Sequence, residues 1–96
     1  MTIQEFKKRS QNGEISNFID IREAWEYEER NIGAINIPFS ELPHRLAEIS
    51  EFKDKQIVLH CGTGVRSEQA KLFLETQGFT NVHSLEGGIE GFLEQE

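Results

Sequence analysis

The chain has one cysteine, one methionine, one tryptophan, one tyrosine and two prolines in 96 residues. A single cysteine excludes an internal disulfide and leaves no second thiol to resolve a bond formed at the first, which agrees with a reducing compartment. Basic residues are also few, 10 Lys and Arg against 17 Asp and Glu, for a net charge of −7. That balance speaks against a nucleic-acid or anionic-membrane partner, and the Lys7-Lys8-Arg9 run reads as a solvated helix face. No apolar run approaches the ~20 residues of a membrane span. The start, Met1-Thr2-Ile3-Gln4-Glu5, lacks the basic and apolar parts of a signal peptide, so the expected compartment is the cytoplasm. His44 and His83 have no acidic or cysteine neighbours at ligand spacing, and no metal site is expected.

What is present reads as one α/β domain over residues 1–96. Thr2 with Glu5 has capping-box spacing, and Ile3 and Phe6 supply the buried side of a first helix ending near Gly13. Residues 17–21 and 34–37 read as strands, separated by an acidic helical turn over 23–29 in which Trp25 and Tyr27 are expected to pack in the core or at the rim. Leu42, Leu46 and Ile49 fall on one face of an expected second long helix. Residues 56–60 form a further strand, and a third long helix buries Ala70, Phe73 and Leu74 before a cap at Gly78. Residues 82–85 form the last clear strand, followed by a Gly87-Gly88 turn and a short helix bringing Phe92 and Leu93 inward. This alternation predicts a parallel sheet of four to five strands, flanked by helices on both faces, with ligands at the carboxyl ends of the strands.

Cys61 lies at such an end, between the apolar run before it and the helical pattern after Ser67. A thiol at a helix N-terminus beside a cation becomes a thiolate near neutrality, and Arg66 is expected to supply that cation. Gly62 and Gly64 allow the loop to curl so that the Gly62 to Arg66 amides face the sulfur or an anion, with the guanidinium closing the nest. Thr63 and Ser67 offer hydroxyls, and Val65 is expected to pack. Any anion site in so acidic a chain must be built locally, and between Asp54 and Glu68 every charge is positive. Strand alternation points His60 away from Cys61, as a packed histidine. Asp20 and Arg22 alternate on one side of a strand end, placed either to pair with each other or to support the site. The glutamates at 23, 26, 28 and 29 read as a solvated face.

Three stretches in order make the chain resemble the rhodanese-like domains, a sulfurtransferase family. They are Phe18-Ile19-Asp20-Ile21-Arg22-Glu23 continuing through Glu26-Tyr27 and residues 33–38; Cys61-Gly62-Thr63-Gly64-Val65-Arg66-Ser67; and Gly78-Phe79-Thr80-Asn81-Val82 continuing through residues 85–89. The resemblance implies that Cys61 accepts a sulfane sulfur from a small-molecule donor such as thiosulfate, a polysulfide or a persulfide. The resulting persulfide passes it to a thiol, to cyanide or to an acceptor protein. It also implies that Gly62 to Ser67 hold the adduct and the donor's anionic part, with no cofactor. Two positions depart from the family: Asn31 stands in a segment that often carries Gly-His-Ile, and Phe92 replaces the usual tryptophan. Both are expected to alter packing or the rim. Two other readings suit the same residues. One is a cysteine phosphatase or arsenate reductase, against which count the four residues between Cys61 and Arg66, one fewer than the related phosphatases use. The other is a persulfide carrier or binding module without turnover.

Overall fold

The computed structural model describes residues 1–95. Four parallel strands form the sheet: β1 (Phe18–Asp20), β2 (Ile35–Asn36), β3 (Ile57–His60) and β4 (Val82–Ser84), in the order β2-β1-β3-β4. β3 is central and buried at every position, which its continuous apolar composition requires of a strand covered on both faces. Alternation splits its side chains. Ile57, Leu59 and Cys61 join Ile19, Ile21, Leu42, Ile49, Ala70 and Leu74 on one face, while Val58 packs with Ile3, Phe6 and Leu85 on the other.

Helix α1 (Ile3–Gln11) and helix α4 (Gly88–Glu94) cover the second face. The Thr2 side chain caps α1 by accepting from the Glu5 amide at 3.1 Å, as the spacing predicts. No strand forms at the start of the chain, although the Met1 amino group donates to the Ser84 carbonyl at 2.9 Å and thereby ties the terminus to the end of β4. Phe92 stacks edge-on against Phe6 at 5.9 Å, with the Lys7 ammonium 5.0 Å from its ring, so this departure is one of packing. Helix α3 (Val65–Thr76) covers the first face and ends at Gly78, whose φ of +94° is the left-handed cap expected there. Among the described residues no helix is long and apolar enough to cross a membrane.

The expected second long helix does not form. Residues 42–52 make three short 3₁₀ turns, Leu42–His44, Leu46–Glu48 and Ser50–Phe52. Pro43 has no N–H to donate, but it stands in the first turn, where that loss is tolerated, so it does not by itself forbid an α-helix. Bonds to the third preceding carbonyl replace the α pattern, as in Arg45 to Leu42 at 3.1 Å and Ile49 to Leu46 at 3.1 Å. Leu42 and Ile49 still reach the core, with Leu46 packed against it. Helix α2 (Ala24–Glu29) forms where the acidic turn is expected, with Glu23 and Glu26 closing a capping box. Trp25 is largely exposed and so lies outside the core, since a six-residue helix with no buried residue offers it no face. Tyr27 is half-buried and donates to the Ala34 carbonyl at 2.6 Å. Asn31 makes a local turn, accepting from the Gly33 amide at 3.1 Å and donating to the Tyr27 carbonyl at 3.2 Å.

Candidate active site

Cys61 follows the last residue of β3 and is wholly enclosed. Its sulfur nevertheless faces peptide hydrogens. The Gly64 amide donates to Sγ at 3.1 Å and the Ser67 amide at 3.3 Å, while the Ser67 hydroxyl lies 3.5 Å away. Gly64, with φ +103°, is the N-cap of α3 and makes no side-chain cap, so the cysteine sulfur takes an amide of the first helical turn instead. Burial pushes the thiol up, but the Ser67 hydroxyl and the Ser67, Gly64 and Thr63 amides outweigh it and hold Cys61 below its ordinary value. Hydrogen bonds thus dominate this lowering, and the expected part played by the Arg66 charge is secondary.

Helix α4 holds the loop from outside. The Ile89 amide donates to the Cys61 carbonyl at 2.9 Å and the Glu90 amide to the Gly62 carbonyl at 3.1 Å. With those carbonyls turned toward the helix N-terminus, the loop's later amides are free to converge on the sulfur. The approach is so close that a Cβ on Gly88 would lie 2.4 Å from the Cys61 carbonyl oxygen. On the inner side, the Ser67 hydroxyl is 2.7 Å from that of Ser84 at the end of β4. Ser84 also lines a shallow groove with Thr63, Gly64, Val65, Glu86 and Gly87; this groove runs along the outside of the loop and is not lined by Cys61.

Arg66 departs from expectation. Its Nη1 and Nη2 donate to Glu26 Oε1 and Oε2 at 2.8 and 3.1 Å, a two-pronged pair that spans two elements. Those bonds hold the Glu26 carboxyl below its usual range and the Arg66 guanidinium above its own. Glu90 Oε2 and Arg66 Nη2 both stand 3.3 Å from where a side chain on Gly62 would begin. The loop is therefore bordered by carboxylates, although its own sequence is positive. Val65, expected to pack, is 65% exposed, because it is the first residue of α3 and points away from the sheet.

Asp20 and Arg22 pair with each other. Arg22 Nη2 donates to Asp20 Oδ2 at 2.8 Å and to the Arg30 carbonyl at 2.6 Å, and the Arg22 amide donates to Asp20 Oδ1 at 2.9 Å. Both are buried beside His60, whose Nε2 is 3.4 Å from Asp20 Oδ2 and whose ring stacks on Phe18 at 5.0 Å. This cluster lies across the sheet from Cys61 and braces the end of β1. Burial pushes His60 down, so it is a neutral, packed ring, as alternation predicts. Among the described residues no group of three or more His, Cys, Asp or Glu side chains is placed to hold a metal ion. Sequence reasoning missed Glu26, Ser84, Gly88 and Glu90; the Gly87-Gly88 doublet and the Glu23–Glu26 capping spacing were the available signals.

Against known proteins, the family model of the rhodanese-like domain matches residues 2–95. A tRNA uridine(34) hydroxylase of Cronobacter sakazakii is 40% identical over 77 residues, covering 75% of this chain and 22% of the hydroxylase. The chain thus spans about a fifth of the curated relatives it matches. A rhodanese-related protein of Thermoplasma volcanium superposes with a TM-score of 0.85 at 29% identity, over 99% of this chain and 90% of that one. A human single-domain sulfurtransferase gives 0.86 at 25% identity, over 100% and 96%. With its parallel sheet, its cysteine loop at the end of β3 and a family match over nearly its whole length, the chain belongs to the rhodanese-like domain family.

Proposed function

We propose that this chain is a rhodanese-type sulfurtransferase, moving a sulfane sulfur from a donor to a nucleophilic acceptor through a persulfide on Cys61. The observation that carries the reading is the convergence of the Gly64 and Ser67 amides and the Ser67 hydroxyl on Sγ. These groups favour the thiolate before attack and face the charge of a terminal sulfur after it. With thiosulfate, the Cys61 thiolate attacks the outer sulfur, a Cys61–S bond forms, and the S–S bond of the donor breaks with its electron pair leaving on sulfite. Cyanide or a thiolate then attacks the outer sulfur of the persulfide, and Cys61 leaves again as the thiolate. His60 faces the opposite side of the sheet and is not placed to take the Cys61 proton.

The test compares the protein with Cys61→Ser using thiosulfate and cyanide, then polysulfide and mercaptopyruvate as donors. The expected result is thiocyanate from the parent alone and a gain of one sulfur atom in its intact mass. Equal thiocyanate formation by both proteins rejects the reading. Hydrolysis of an aryl phosphate is expected to be negligible, and robust turnover lost in Cys61→Ser transfers the site to the phosphatase reading.

A further inference from the structure

We infer that Glu26 selects the class of sulfur donor, disfavouring dianions and favouring persulfides of organic thiols; the inference rests on the sulfurtransferase reading of Cys61. Arg66 is the only Lys or Arg in the loop that follows Cys61, and the cation on which an anionic donor would lean. Each of its terminal nitrogens already donates one N–H to Glu26, which is held in place in turn because its Oε1 also accepts from the Glu23 amide at 3.0 Å. Glu26 offsets the positive charge that the loop sequence promises, and Glu90 adds a second carboxylate beside Gly62. Thiosulfate must therefore lean on a guanidinium whose charge is already offset, and approach like charges.

A persulfide meets neither obstacle to the same degree. In R–S–S–H the Cys61 thiolate attacks the terminal sulfur, the donor S–S bond breaks, and the electron pair leaves on R–S⁻, so that one sulfur moves with its proton and no outside oxidant or reductant is needed. The leaving group is an organic thiolate, and the rim offers it uncharged surface. Trp25 and Val65, next in the chain to Glu26 and Arg66, are 63% and 65% exposed.

The experiment is single-turnover persulfidation of the full chain, followed by intact mass, with thiosulfate and with 2-hydroxyethyl persulfide as donors. Glu26→Gln is the chosen variant, because glutamine at the third helical position keeps the capping bond to the Glu23 amide while discarding the charge. The ratio of the thiosulfate to the persulfide rate constant is expected to rise about tenfold, as for one like charge removed at a partly exposed site, and a rise of less than about threefold overturns the inference. Glu90→Gln, at an exposed residue, is expected to move the ratio the same way by a smaller factor and stands in should Glu26→Gln fail to fold. Added salt is expected to speed the thiosulfate reaction of the parent more than that of Glu26→Gln, through screening of the rim; equal salt slopes count against Glu26. A parent protein that takes sulfur from neither donor overturns both the sulfurtransferase reading and this one. If the parent takes sulfur from both and the ratio stays fixed, only the role of Glu26 falls.

Discussion

Gly88→Ala is the most telling single change, because it strikes the contact that orients the loop without touching the loop itself. Gly88 has φ +58°, and the added Cβ would stand 2.4 Å from the Cys61 oxygen, 2.5 Å from the Gly62 oxygen and 2.7 Å from the Gly62 carbonyl carbon. All three are backbone atoms, so no side chain can swing aside; helix and loop must separate. Separation stretches the bonds from the Ile89 and Glu90 amides, at 2.9 and 3.1 Å. A left-handed alanine costs about 1–2 kcal/mol, forced overlap about 1–3, and each of the two weakened hydrogen bonds about 0.5–1.5, so the expected loss is about 3–8 kcal/mol in urea unfolding. Gly13 is the control. It also has positive φ, +71°, but nothing lies within 4 Å of its added Cβ, so Gly13→Ala should show only the conformational part, about 1 kcal/mol. Alkylation of Cys61 at neutral pH is expected to slow in Gly88→Ala and to stay at the parent rate in Gly13→Ala. Equal destabilisation by the two substitutions, with Cys61 equally reactive in both, would refute the reasoning.

Ser67→Ala removes the hydroxyl nearest the sulfur, and a hydrogen bond to a charged group is worth about 1.5–3 kcal/mol, so alkylation at neutral pH should slow by about tenfold and its midpoint should move upward. Ser84→Ala should shift the midpoint the same way by less, because Ser84 reaches the sulfur only through the Ser67 hydroxyl; no shift would detach Ser84 from the site. Stability should rise with pH across two windows. Folded Cys61 titrates below its ordinary 9.0, so its thiolate contributes stability fully present above that pH and lost as pH falls through the folded value. Folded His60 titrates below 6.5, so stability is lost as pH falls below that value, where the unfolded chain gains a proton first. Urea unfolding across pH should show Cys61→Ser flattening the upper slope and His60→Phe the lower one. A slope unaltered in its variant would remove that group from the balance.

Much of this protein was legible in its residue order because the determining features are local. Alternation along residues 56–61 separates His60 from Cys61 whatever surrounds them, and Thr2 with Glu5 marks a helix start within one turn. The second long helix failed because the apolar spacing of Leu42, Leu46 and Ile49 marks which side chains face the core and does not distinguish one α-helix from a succession of short 3₁₀ turns. The exposure of Val65, and the choice of rim over core for Trp25, escaped for another reason. Burial of an aromatic or branched residue depends on whether a neighbouring element reaches it, and no spacing reports that.

The sequence by itself determined the α/β class, the parallel sheet, and a glycine loop that brings its only thiol to a strand end beside a helix start, because each follows from periodicity and backbone freedom over a few residues. Tertiary structure alone decided what surrounds that thiol. Ser84, 17 residues beyond Ser67, completes the hydroxyl pair; the amides of α4 turn the loop carbonyls outward; and Glu26, 40 residues before Arg66, cancels the charge that the loop sequence promised. Electrostatic and hydrogen-bond partners are set by distance in space, and a parallel sheet brings together strand ends that lie far apart along the chain.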